Sequence, residues 1–388
     1  MTAATRWGPV LLLCAGGVLA GGQFAKVSVE FTRLQALYGV APARMGLALS
    51  TVGLVGLLFG VLAGGLAPRI GFRRLLLAGL AGGAALSALQ ALVPPFGWFW
   101  ASRVPEGLSH LAIMVATPAL LLHASAPAHR AVVMGLWTTV VGLSFAVLAG
   151  VDRLLPAGLA PRDALAGHAL LMAAAAVAVR LCVADAPAAP GARRPGLLAL
   201  HAQAYADLRT ALPGLGFFFY AFPTIALITF VPPASGAGAG FATVLPLLAT
   251  AGTLAAGWLA RQGSAGTRLA LRAYAALALS ALALALAARL AGPVAPLAPL
   301  ALLVLACAGL AGGASATLIP QLHADPAGQA RASGVLVQLG NLGSVTGPPL
   351  FAALAVPHGL AGLALLTALA ALGAVGLMAA AGRRLERS

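Results

Sequence analysis

The sequence predicts an all-α membrane protein of twelve transmembrane helices arranged as two six-helix, pseudo-symmetric halves. Three observations predict it: an extremely apolar composition, twelve apolar stretches of spanning length, and a short sequence echo 200 residues apart. The 388 residues are 61% hydrophobic and 8% charged, with a mean hydropathy of +0.98. A soluble domain carries about 25% charged residues, and no soluble fold of this size hides so much apolar surface. The same composition excludes disorder.

A bilayer-crossing helix needs ~20 mainly apolar residues. That ruler gives spans at approximately 7–29, 46–67, 75–93, 97–121, 131–151, 164–183, 211–232, 241–260, 269–290, 297–319, 332–354 and 359–381. The breaks are polar or Pro/Gly-rich: Pro94-Pro95, Asp152 to Asp163, Pro232-Pro233 and Pro357. The longest, residues 184–210, contains Arg193-Arg194 and divides the chain into an N-terminal half (1–183) and a C-terminal half (211–388). Arg6 before the first span imitates a signal peptide, but eleven spans follow it, so the first helix is expected to stay.

The net charge of +15 would suggest nucleic acid in a soluble protein. Here the basic residues follow the spans. With the N-terminus cytoplasmic, 16 fall on the inside, 6 outside, and Arg103 within a span. This bias predicts both termini in the cytoplasm of a bacterial inner membrane and leaves no case for nucleic-acid binding. Of 23 basic residues only Lys26 is lysine, which we read as coding bias. Cys14, Cys182 and Cys307 have neither metal nor redox spacing.

The echo is ATPALLLHASAP (Ala116–Pro127) against ATLIPQLHADP (Ala316–Pro326). Each lies at the end of the fourth span of its half. A second echo, GGLAPRIGFRR (Gly64–Arg74) against GWLARQG (Gly257–Gly263), has an offset of 193. Two echoes with nearly one offset predict a duplication, and many transporters are built from such repeats.

The stretch Gly64-Gly65-Leu66-Ala67-Pro68-Arg69-Ile70-Gly71-Phe72-Arg73 resembles the loop signature of the major facilitator superfamily, and Arg103-Val104-Pro105-Glu106-Gly107 resembles its helix-4 pattern. The resemblance covers the whole chain. It implies a secondary transporter that moves a small molecule by alternating access, with Gly64, Gly65, Arg69, Gly71, Arg73 and Arg74 as a conformational gate. Pro68 stands where the family has an acid and Phe72 where it has a base, so a carboxylate such as Asp325 or Asp207 is expected to serve the loop arginines. The Gly-Pro pair of the family's helix-5 antiporter signature is absent from 131–151; Gly347-Pro348-Pro349 takes the equivalent place in the second half. Small residues four apart, Gly56-Gly60-Gly64 on helix 2 and Gly343-Gly347 on helix 11, predict close helix packing, and the resemblance implies a seam between the halves there.

Arg103, Glu106 and His110 are spaced i, i+3, i+7 and share one helix face. At ~1.5 Å per residue they descend from ~9 to ~20 Å below the outer surface. Charges inside a span face the bundle interior or a water-filled path. Two readings stay open: a structural ion pair with a hydrogen-bonded histidine, or an anion site at Arg103 with Glu106 or His110 exchanging a proton. Gln23, Lys26 and Glu30 repeat the spacing near the outer end of helix 1, where Lys26 either snorkels to headgroups or binds at an outward mouth. Thr138, Tyr220, Gln338 and Asn341 are further candidates for substrate contact or helix-helix hydrogen bonds.

No enzyme or nucleotide motif is present, so no catalysis, cofactor or metal is expected. The expected partners are a small organic anion or zwitterion, protons and the lipid bilayer, with the chain a monomer. A drug-type exporter and a non-transporting membrane sensor or assembly partner are the alternatives.

Overall fold

The structure is a computed structural model. It describes residues 4–154, 160–185, 205–237, 240–262, 266–290, 297–324 and 326–385, without the side chains of 61–66, 68, 69, 131, 326, 327 and 330. Most of the central loop expected at 184–210, including Arg193-Arg194, lies outside these residues, as does Asp325.

The described residues form thirteen α-helices: α1 (Trp7–Val29), α2 (Phe31–Tyr38), α3 (Pro42–Ile70), α4 (Phe72–Ala91), α5 (Phe96–Ala124), α6 (Arg130–Leu154), α7 (Pro161–Cys182), α8 (Leu208–Ser235), α9 (Gly240–Arg261), α10 (Thr267–Leu290), α11 (Ala298–Leu322), α12 (Pro326–Leu354) and α13 (Gly359–Leu385). Each of the twelve expected spans is one of these helices. Eleven are long and apolar enough to cross a membrane by composition alone. The twelfth, α12, has 29 residues, but Gln338, Asn341, Thr346 and two prolines dilute its apolar character.

The remaining helix, α2, is the element the sequence reading passed over. Its eight residues bury Phe31 and Leu34 and end at Gly39, whose φ of 60° only glycine adopts without cost. Gly71, at φ 94°, turns the chain from α3 into α4. Pro232 and Pro233, expected to break the chain, sit in the last turn of α8, which runs on to Ser235 and stops at Gly236.

Two compact units result. One draws on Met1–Val40 and Leu54–Arg194, the other on Ala41–Gly53 and Pro195–Ser388. In the first, α1 packs on α5, α6 and α7, and α4 on α5 and α7. Lipid tails are as apolar as leucine, so close van der Waals packing rather than water exclusion holds such helices together. Glycines provide it: a side chain at Gly17 would meet the Trp137 ring, one at Gly21 Ser144, and one at Gly22 the His168 ring. Val10, Leu13, Leu76, Leu80, Ile113, Leu120 and Met172 fill the core between these contacts.

In the second unit α8 packs on α11, α12 and α13, α9 on α11, and α10 on α11 and α13. Gly343 and Gly347 press on the α8 backbone at Phe218 and Phe222, while Gly252 and Gly309 let α9 and α11 touch backbone to backbone. Gly46, at the start of α3, meets Pro348 and Pro349 of α12.

The outer surface is as apolar as the core. On α10, Leu279, Leu282, Leu286 and Leu290 are exposed on one face while Leu277, Ala281 and Leu284 are buried on the other. That pattern belongs to a helix solvated by lipid, and the chain is a multi-pass membrane protein.

The echoed segments end α5 and α11 as expected, but their histidines differ. His123 is exposed, whereas His323 is buried, 3.4 Å from the Thr210 hydroxyl at the start of α8. In the first unit the corresponding contact is made by His129: Thr5 Oγ1 lies 2.8 Å from its Nδ1, and Trp7 packs on its ring.

Candidate functional site

The charges read separately on helices 1 and 4 form one cluster. Lys26 Nζ on α1 lies 2.6 Å from Glu106 Oε1 on α5 and donates to Ser87 Oγ on α4 at 2.7 Å. Arg103 donates to Glu106 Oε2 and, at 2.7 Å, to the Gln23 carbonyl oxygen. Gln90 on α4 donates to Glu106 Oε2 at 2.6 Å and to Ser102 Oγ at 3.0 Å. The Gln23 amide donates to Ser109 Oγ at 2.7 Å, and Ser109 in turn to the Gly79 carbonyl at 2.7 Å. Lys26, Arg103 and Glu106 are each 0% exposed, so Lys26 does not snorkel.

His168 on α7 closes the network. Its Nε2 lies 2.9 Å from the Leu19 carbonyl and its Nδ1 3.0 Å from Ser87 Oγ. A carbonyl only accepts, so Nε2 carries the proton. With the ring neutral, Nδ1 accepts from the Ser87 hydroxyl and leaves the Ser87 oxygen to receive Lys26. The chain of donors therefore has a direction: Lys26 to Ser87, Ser87 to His168, His168 to Leu19.

His110 stands beside the network. Its Nδ1 is 3.0 Å from the Ala20 carbonyl and its ring meets Phe24 edge-on at 5.2 Å. Glu30, the third member of the helix-1 pattern, turns to Arg33 Nε at 3.0 Å, and Arg33 also pairs with Asp152. Burial and the nearby Asp152 carboxylate raise the Glu30 carboxyl to about 7, against the pull of Arg33, with burial the larger cause.

The other candidates make contacts of their own. Thr138 is exposed and donates to its own helix at Gly135. Tyr220, Gln338 and Asn341 belong to the second unit. Tyr220 packs on Gly312 and on the Phe217 ring at 4.9 Å, Gln338 accepts from Tyr205 at 3.0 Å, and Asn341 donates to Val337.

At the gate, Gly64, Gly65 and Arg69 lie on α3 with their surroundings outside the description. Among the described residues the carboxylate is not the expected Asp207, and Asp325 lies outside them. Asp207 caps α8, accepting from the Arg209 and Thr210 amides, and Asp185, just beyond α7, accepts from the Arg73 amide at 3.0 Å. The Arg73 guanidinium donates to the Arg180 carbonyl, and Arg74 is exposed.

Ser87, Gln90, Ser102, His168 and Asp185 went unread in the sequence. Serine and glutamine are ordinary within a span. The available signals were the i, i+3 pair Ser87 and Gln90 and a lone histidine inside the sixth span.

A bundle of long apolar helices with a charged hydrogen-bonded core in one unit defines a multi-pass membrane protein. The Major Facilitator Superfamily model matches residues 11–348, and the chain belongs to that family. Two solved structures of a bacterial homolog of the human lysosomal transporter Spinster share its fold. The inward-facing, unoccupied form superposes with a TM-score of 0.79 at 17% identity, over 97% of this chain and 97% of that one. The inward-facing, occupied form gives 0.80 at 16% identity, over 99% and 98%. No curated protein matches the chain in sequence.

Proposed function

We propose that the chain is a proton-coupled secondary transporter of a small organic anion or zwitterion, working by alternating access in a bacterial cytoplasmic membrane, as a monomer with both termini inside. Family membership supports the transporter class. The observation that carries the substrate sign is the cluster of the first unit, where two cations share one carboxylate. In a low-dielectric interior that excess positive charge acts over several ångströms, favouring an anionic substrate. Glu106 is the hub, since it pairs with both Lys26 and Arg103.

The test is counterflow of labelled organic anions, amino acids and lipophilic cations in proteoliposomes, with a thermal-shift screen of the same compounds in detergent. An anion at ~100 times its Kd should stabilise the protein by about 2.7 kcal/mol and show counterflow that Arg103→Ala removes. If Glu106→Gln left the rate and its pH dependence intact, coupling through this cluster would be wrong. The second reading, a drug-type exporter, is favoured by the uncharged aromatic row Phe217–Phe222 of α8, which packs on Phe351. Hits confined to lipophilic cations, indifferent to Arg103→Ala, would select it. Ligand binding without counterflow would select a sensor.

A further inference from the structure

We propose that Lys26 is the group of the first unit that carries the exchanged proton, and that Ser87 and His168 are its relay. The inference deepens the proton-coupled reading given above. It starts from charge balance. Lys26 and Arg103 are buried beside one carboxylate, Glu106, whose two oxygens they divide between them. Two further acids of the first unit, Glu30 and Asp152, both pair with Arg33. A buried charge without a partner is costly, and an ion pair is tolerated only when each charge is matched.

Three groups could restore balance. Arginine keeps its proton under all ordinary conditions. Protonating Glu106 would remove the one negative charge and leave two cations unmatched. Loss of one proton from Lys26 leaves Arg103 and Glu106 as a matched pair, and lysine is the cation whose proton buried sites do remove.

The surroundings provide a route. From α5, Lys26 faces Glu106 and Arg103, with His110 one turn further along. From α4 it meets the uncharged Ser87, while Gln90 is turned to Glu106, and from α7 His168 stands beyond Ser87. Just past the end of its own helix stands Glu30, held by Arg33, and Asp152 of α6 is held by the same arginine. Among the described residues, His168 is the imidazole joined to Lys26 through a hydrogen-bonded bridge, and its Nδ1 faces that bridge. It is 4% exposed, whereas Lys26, Ser87 and Glu106 are fully buried.

The step balances. One Nζ–H bond of Lys26 breaks as an O–H bond forms at Ser87, and the hydroxyl's original proton forms an Nδ1–H bond on His168. Ser87 ends unchanged, Lys26 is an amine and His168 an imidazolium. The imidazolium then gives a proton to water and returns to neutrality. Reprotonation runs the same path backwards.

The chain has a single lysine, so Nζ can be observed without assignment. Full-length protein labelled with [15N]lysine in nanodiscs gives one Nζ resonance. We expect it to move between the ammonium and amine positions over roughly pH 6 to 9. We also expect Nζ proton exchange with water to slow by at least about tenfold in Ser87→Ala and in His168→Gln. An ammonium signal that persists to ~pH 10, the behaviour of an ordinary lysine, overturns the assignment to Lys26 using the unaltered protein. Unchanged exchange in both variants, each giving a native spectrum, overturns the relay. Neither readout needs transport: if Nζ titrates while no compound shows counterflow, the transporter reading fails and the proton assignment stands.

Discussion

Glu106 shows how much one side chain can hold in a membrane interior. It answers Lys26, Arg103 and Gln90 together. Glu106→Gln would leave two buried cations without a counter-charge, so we expect a loss of about 3–5 kcal/mol, read as a fall in melting temperature in detergent. Glu106→Asp should lose less. Glu30 makes the opposite case. Its carboxyl is raised from an ordinary 4.5 to about 7, so the folded state binds a proton there more tightly than the unfolded chain. The stabilisation is complete below about pH 4.5 and lost as pH rises through about 7. Melting temperature should therefore fall between pH 5 and pH 8, and Glu30→Gln should flatten that slope; a wild-type profile already flat would refute the assignment. Arg103, Glu106 and Lys26 were legible in the sequence because a charge within a span is conspicuous whatever its partner. The Arg103–Glu106 pair was legible from its i, i+3 spacing; the tie to Lys26 was not, because it depends on how α1 and α5 are rotated toward each other. His168 escaped because one histidine in an apolar run has no spacing partner along the chain.

The helices themselves were nearly all legible, since length and apolarity suffice to find a span. What sequence could not supply was which helix a glycine face meets. The Gly343-Gly347 pair was read with a seam between halves in view, and in the structure it lies on the α8 backbone. A methyl group at Gly347 would collide with the Phe222 carbonyl oxygen, and backbone cannot swing aside. Gly347→Ala should cost about 1–3 kcal/mol, whereas Gly376→Ala, with open space around it, should be neutral; thermal unfolding of the two variants checks this. Helix ends follow a different logic. Asp207 accepts from the Thr210 hydroxyl and from two amides of α8, and these bonds, the hydroxyl first, hold its carboxyl below its ordinary 3.8. Its stabilisation is present above that value and lost as pH falls below it. Asp207→Ala should cost about 1 kcal/mol at neutral pH. The short α2 was missed because its eight residues fall far below the spanning length by which helices were sought, although Phe31 and Leu34 mark an apolar face.

For the molecule as a whole, the two units share an architecture and differ in chemistry. Charges tie the first together, while the second relies on hydroxyl-to-backbone bonds such as Tyr274 to the Gly216 carbonyl at 2.6 Å. The duplication read from the echoes therefore concerns helix order, not the site. The proposed topology has a direct check, because Cys182 is the exposed cysteine of the three and ends α7. A membrane-impermeant maleimide should label it in inside-out vesicles and leave it unlabelled in right-side-out ones; the reverse pattern would invert the proposed orientation.

The ionic knot of the first unit also bears on how the chain is made. Ribosomes deliver α1 first, and it carries Lys26 toward the bilayer when Glu106, roughly 80 residues behind, has not been synthesised. At about 5–20 residues per second the cation waits several seconds for its carboxylate, and longer for His168. An unpaired lysine in hydrocarbon is costly. The first helix must therefore linger in a wet or protein-lined compartment of the insertion machinery until α5 arrives, so the order of synthesis sets a holding time before this half can be released into lipid.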